Sequence, residues 1–265
     1  MACVCFIAGA ERLAAQAKQG PLPPPPEDKK IVVIPVKPKA EAPPMPVEQL
    51  IRALATKEEA FLQARAAYSY RKTVRIVEYG EDGQPAGDFQ YVAEGRINSD
   101  GEHYEKIVEQ PKGTLPDLPL QVEDLGILWR APLFPLITGN LAKYDLNYSG
   151  KQQLDELSTY VIQVKPKQVE RAHAYFDGVV WVDDGELAVV KSYGKWVTET
   201  GDVSTPEAPF VFFETYRENV DGKYWFPSYE RSDGSLKLKN REVPLRLIVR
   251  WTDYKPFTSA ATKNP

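Results

Sequence analysis

Six Asp-Gly dipeptides, at 82–83, 100–101, 177–178, 184–185, 221–222 and 233–234, punctuate this 265-residue chain. Type I′ hairpin turns need positive φ at both central residues, and Asp-Gly supplies it. Between the dipeptides lie short runs in which apolar and polar residues alternate. Successive side chains of a strand point to opposite faces, so alternation marks strands with one buried face. The pattern predicts strands at 68–76, 88–97, 103–109, 143–148, 159–165, 172–176, 179–182, 187–193, 210–218, 224–231 and 245–254. In the first, Arg71, Thr73 and Arg75 take the wet face. The last is clearest, with Leu245, Leu247, Val249 and Trp251 alternating with Arg246, Ile248 and Arg250. Long crossover helices are missing between the runs, which excludes parallel βαβ units. The fold class is α+β, mainly antiparallel β.

Two segments depart from this pattern. Pro46 suits the first position of a helix, and Leu50, Ile51, Leu54, Phe61 and Leu62 then share one helical face. Thr56 and Glu59 have capping-box spacing, which predicts two short helices with a break near Thr56, ending around Ala67. Residues 111–141 show no strand pattern. Val122, Leu125, Leu128, Trp129, Leu133, Phe134, Leu136 and Ile137 make this excursion apolar, and Pro116, Pro119, Pro132 and Pro135 cut it into short pieces. It is expected to lie over an open end or face of the sheet, as a lid or as a plug.

The N-terminal region has its own composition. Ala8-Gly9-Ala10 and Ala15-Gln16-Ala17 fit the small-x-small pattern of signal-peptidase sites, and an apolar run surrounds the first. Residues 1–17 are therefore read as a truncated secretory signal whose true start lies upstream. Residues 20–46 hold ten of the 23 prolines. Proline lacks the N–H that helices and ladders require, so 18–46 is expected to be an extended, disordered linker. The only cysteines are Cys3 and Cys5, so no disulfide framework or cysteine-based metal site exists in the body. The net charge of -4 gives no electrostatic case for nucleic acid.

Catalytic motifs are missing. There is no G-x-S-x-G, H-E-x-x-H or phosphate-binding lysine loop. His103 and His173 are the only histidines and lie far apart. Asp183-Asp184-Gly185-Glu186 is a dense acidic cluster, but it lacks the alternating oxygen ligands of a calcium loop and reads as a solvated hairpin turn. No catalytic residue, metal ligand or cofactor is assigned, and the chain is not read as an enzyme. Aromatic and aliphatic residues without convergent polar groups point instead to binding by burial, where apolar area contributes roughly 25 cal/mol per Å².

One hairpin carries a resemblance. The stretch from Phe176 to Lys191, FDGVVWVDDGELAVVK, resembles the LolA-like superfamily: an aromatic, a glycine, hydrophobic-Trp181-hydrophobic-Asp183, a turn, and a strand ending in a basic residue. Lys223-Tyr224-Trp225-Phe226-Pro227-Ser228-Tyr229 resembles its later strand, and Tyr160 to Val164 fits the strand before the hairpin. The resemblance covers roughly 47–257. It implies an incomplete, half β-barrel whose open side is covered by helices, with a lipid-sized cavity between. It also implies a periplasmic location and, as partners, lipid or the acyl chains of outer-membrane lipoproteins. The domain is accordingly placed at 47–258, followed by a disordered tail at 259–265. Expected cavity-lining residues are Val74, Ile76, Phe89, Tyr91, Leu125, Leu128, Trp129, Phe134, Tyr160, Ile162, Trp181, Phe212, Trp225 and Trp251, subject to strand parity. The alternative is a structural or signalling envelope module that binds a protein partner and fills its own interior. A monomer is expected in either case.

Overall fold

The computed structural model of the chain describes residues 18–25, 37–98, 103–118, 136–171, 173–199, 201–202 and 209–257. Helix α1 spans Val47–Arg65, with Pro46 at its N-cap. It is unbroken, contrary to the expected interruption. Thr56 donates its hydroxyl to the Arg52 carbonyl 3.1 Å away, and that i−4 bond lets the residue stay inside a helix instead of starting one. Leu50, Leu54, Ala55 and Phe61 form the buried stripe.

Among the described residues eleven strands follow: β1 (Tyr68–Tyr79), β2 (Pro85–Ile97), β3 (His103–Thr114), β4 (Tyr144–Leu154), β5 (Leu157–Pro166), β6 (Tyr175–Asp183), β7 (Val189–Thr198), β8 (Gly201–Asp202), β9 (Phe212–Val220), β10 (Tyr224–Lys237) and β11 (Glu242–Pro256). A 3-10 turn at Thr138–Lys143 precedes β4. The strands form one antiparallel sheet in the order β3-β2-β1-β11-β10-β9-β7-β6-β5-β4, with β8 beside β7. The sheet is open, with β3 at one edge and β4 at the other. The chain therefore builds β1 to β3 outward, passes to the far edge, and returns strand by strand until β11 pairs with β1. The connection between the two edges is the apolar excursion. It begins later than predicted, because Pro111–Thr114 belong to β3. Residues 119–135, which include Val122, Leu125, Leu128, Trp129, Leu133 and Phe134, lie outside the described residues.

Among the described residues three Asp-Gly pairs lie between strands, and Asp221-Gly222 turns with φ of 56° and 65°; Asp100-Gly101 lies outside the described residues. Two do not turn. Asp177-Gly178 lies inside β6, fusing the two strands predicted there, and Asp233-Gly234 lies inside β10. Both glycines answer to a close approach. Gly178 sits opposite Gly194 of β7, and a Cβ on Gly178 would overlap the Tyr193 carbonyl and the Gly194 Cα. The Phe176 ring covers this pair. At Gly234 a Cβ would overlap the Pro209 carbonyl, which accepts from Ser235 N–H. Gly178→Ala is expected to lower the unfolding free energy by about 1–3 kcal/mol in a urea titration, since backbone on the facing strand has to move.

The described parts of the proline-rich leader lie against the domain, where a free linker was expected. Lys18 Nζ pairs with buried Asp183 at 2.9 Å. Gln19 accepts from Asn219 N–H, and Leu22 N–H donates to Asp155. Further on, Lys39 and Lys151 exchange two backbone bonds, of 2.8 and 3.0 Å, on the edge of β4.

Candidate functional site: the inner face of the sheet

Directly opposed residues of antiparallel strands share a face. Register partners trace one row across nine strands: Tyr91, Val74, Val249, Glu230, Thr215, Ser192, Val180, Ile162 and Tyr148. Leu50 and Leu54 of α1 pack in the same cluster as Val180 and Ile162, so this is the helix-bearing, inner face. The row is apolar at both ends and polar in the middle.

Each apolar end belongs to a cluster. One gathers Tyr160, Ile162, Val164, Val180, Val182 and Val189 with the helix residues, and Leu136 at the end of the excursion joins it. The other gathers Val74, Ile76, Phe89, Tyr91, Leu247, Val249 and Trp251, and Leu115 and Phe210 close over it. Among the described residues, α1 contributes nothing to this second cluster. The helix packs on the β4–β7 half, and Phe61 reaches Tyr68 and Phe226 near the sheet centre. The β1–β2–β11 half is met at its rim by the start of the edge-to-edge connection, Leu115 and Leu118.

Of the fourteen residues expected to line a cavity, seven lie in the two inner-face clusters. Val74, Ile76, Phe89, Tyr91 and Trp251 come together in one cluster, and Tyr160 and Ile162 sit in the other. Trp181, Phe212 and Trp225 join neither. Trp181 opposes Val161 and Lys191, and so points to the outer face. Its ring packs against Leu157, Ala188, Val190 and Trp225. Phe212 is 42 % exposed and stacks on Tyr193. A one-residue difference in parity moves a side chain to the other face, and a bulge between Trp181 and Val182 resets the parity within the motif itself. Leu125, Leu128, Trp129 and Phe134 lie outside the described residues.

The polar middle of the row went unread in the sequence. Glu230 is buried and accepts from the Thr215 hydroxyl through Oε2 at 3.3 Å. Burial pushes its carboxyl up to about 8, against a smaller opposing effect of the Lys72 ammonium. Ser232, two residues along the same face, is equally buried. Beside them Arg217 makes a two-pronged pair with Glu58 of α1, at 2.7 and 3.0 Å, and its guanidinium lies 4.1 Å from the Phe61 ring centre. At the rim, Lys72 Nζ donates to Glu105 at 2.8 Å, and Tyr70 donates to the same carboxylate. Burial lowers the Lys72 pKa, and burial first, then Glu105, raises that of Tyr70. Each charge reads locally as a wet-face residue of an alternating strand. Only the long-range register brings them inside.

The outer face is also less wet than alternation predicts. Arg246, expected in solvent, is buried between Asp233, at 2.6 Å, and the Tyr79 ring. Lys191, the basic residue that ends the hairpin motif, pairs with Glu214 at 2.7 Å beneath Trp181 and Tyr216. The acidic cluster serves its turn. Asp183 accepts from the N–H groups of Gly185 and Glu186, Asp184 takes Ser158 and Lys151, and Glu186 takes the Trp225 indole N–H. His173 is exposed, and its Nδ1 faces the Arg171 carbonyl. Among the described residues, no group of three or more His, Cys, Asp or Glu is placed to hold a metal ion.

No family model matches the sequence, and no curated protein matches it. Solved structures do. The chain is similar to a DUF1329 family protein from Desulfovibrio piger, at 15% identity and a TM-score of 0.44, over 82% of this chain and 95% of that one. It is similar to an outer membrane lipoprotein-sorting protein domain from Vibrio parahaemolyticus, at 11% identity and 0.40, over 82% and 96%. It is similar also to a LolA superfamily protein from Nitrosomonas europaea, at 12% identity and 0.30, over 76% and 94%. The open antiparallel sheet agrees with the sheet of the half-barrel that the LolA-like resemblance of the sequence implies, and among the described residues α1 covers its β4–β7 half.

Proposed function

We propose that this chain is an exported, non-catalytic envelope protein that holds an acyl chain against the inner face of β1, β2 and β11. The observation that carries the reading is the unequal cover of that face. A permanent helix packs the β4–β7 half, whereas the apolar cluster of Val74, Ile76, Phe89, Tyr91, Leu247, Val249 and Trp251 lies apart from it. An acyl chain laid there gains about 0.8 kcal/mol per buried methylene, so the apolar face suffices without a catalytic group. The lipoprotein acyl chain as ligand belongs to this reading.

A second reading has its own support. Ile76 and Val74 are 0% and 2% exposed, which fits an interior filled by the protein's own side chains and a partner protein bound elsewhere. Native mass spectrometry of the chain purified from an envelope fraction separates the two. The expected result is adduct masses of acyl lipids, together with a change in tryptophan emission when lipid micelles are added, reporting on Trp251. A protein that is always empty and whose emission ignores lipid would sink the first reading and leave the second.

A further inference from the structure

The apolar face alone accounts for burial of an acyl chain, and among the described residues the polar middle of the inner face is not fully satisfied. Glu230 Oε1 and Ser232 Oγ are buried without a hydrogen-bond partner among the described residues, and both side chains are 1% exposed. Such orphans cost about 1–3 kcal/mol each, so they call for an explanation. They stand two residues apart on one strand face, about 6.6 Å at two strand rises. Their register partners are Val249 and Leu247, members of the proposed acyl-binding cluster. On the other flank Thr215 occupies the second carboxylate oxygen.

We propose that Glu230 and Ser232 form a subsite for the carbonyl oxygens of an ester or amide linkage at the head of an acylated ligand. The inference rests on the acyl-binding reading and specifies the ligand's chemistry. With Oε2 accepting from Thr215, Oε1 is the oxygen left to carry the acid proton. Burial raises the Glu230 pKa, so the carboxyl keeps that proton at neutral pH and presents an O–H donor beside the Ser232 hydroxyl. Two donors flanked by Val249 and Leu247 select carbonyl acceptors, and they bring no charge for the ligand to neutralise. Lys72, the nearest ammonium, is held by Glu105 at 2.8 Å and leaves the selection to the two hydroxyls. The acyl chain then runs from Glu230 and Ser232 across β11 towards Val74, Ile76 and Tyr91.

The test compares two probes with the same alkyl chain: monolauroylglycerol, an ester, and 1-O-dodecylglycerol, its ether. Binding to the full chain is followed by tryptophan fluorescence and native mass spectrometry. The ester is expected to bind about tenfold more tightly, the value of one to two well-made hydrogen bonds. Ser232→Ala and Glu230→Met are each expected to reduce this preference, and together to bring it within about twofold, leaving ether affinity unchanged. Because Glu230→Met alters a buried site, Ser232→Ala, which removes one oxygen, is the reading if the first variant folds poorly. Equal affinity of the native protein for ester and ether would overturn the subsite and leave acyl binding standing. Binding of neither would overturn acyl binding itself, and the subsite with it.

Discussion

Replacing Arg217 with methionine is expected to lower the unfolding free energy by about 3–5 kcal/mol. The Glu58–Arg217 pair is almost fully buried, with side chains 1% and 4% exposed. Methionine keeps much of the volume and the contact with Phe61. It leaves the Glu58 carboxylate inside an apolar junction with nothing to neutralise it, which is the source of the loss. The pair joins α1 to β9, and Phe61, Tyr68 and Phe226 surround that junction. The double variant Glu58→Leu, Arg217→Met is expected to recover most of the loss, because both desolvated charges go together. Urea unfolding of the four proteins in the cycle measures it. A loss below about 1 kcal/mol in the single variant would place the pair in the class of solvent-screened surface bridges.

Glu230 makes the second large prediction, and its sign depends on pH. In the unfolded chain its carboxyl titrates near the ordinary value of 4.5, and in the folded protein near 8. Below about pH 4.5 both states hold the proton and the residue is neutral to folding. Between those values the unfolded chain releases its proton and the folded protein does not, so stability falls as pH rises. Above about 8 the folded protein contains a buried carboxylate and the penalty is complete, roughly 4–5 kcal/mol at 1.36 kcal/mol per unit. Glu230→Gln removes the titration. It is expected to match the native protein at pH 4 and to exceed its stability by roughly 4–5 kcal/mol at pH 9. Denaturant midpoints at the two pH values decide it, and a difference that does not vary with pH would mean that Glu230 is not the titrating group.

Much of the sheet was legible because its signals are local. Alternation located β1, β2 and β11, and Asp221-Gly222 marked a turn where both residues do adopt positive φ. The failures share a physical cause, dependence on a partner far away in the chain. Gly178 looked like a turn glycine, but it is required by Gly194 on the next strand. Gly234 is required by the Pro209 carbonyl. Thr56 looked like a cap until the Arg52 carbonyl took its hydroxyl. The same holds for the site. Aliphatic residues such as Val74 and Ile76 declare their face through their neighbours. Glu230 and Arg217 sit in runs rich in polar residues, and only the pairing of β9, β10 and β11 turns them inward.

The bridge between Lys39 and Lys151 has a consequence for how copies of this chain tolerate one another. An open sheet ends in rows of unpaired backbone groups, which are templates for stacking with another molecule. On β4 the leader occupies that template with two bonds. Pro38 precedes Lys39 and has no N–H to continue the pairing, so the leader blocks the edge without itself recruiting a further strand. At the opposite edge β3 carries Pro111 and the exposed Lys106 and Lys112, and proline and lysine there oppose association by lost donors and by repulsion. An unclosed sheet is in this way kept from polymerising through its own borders.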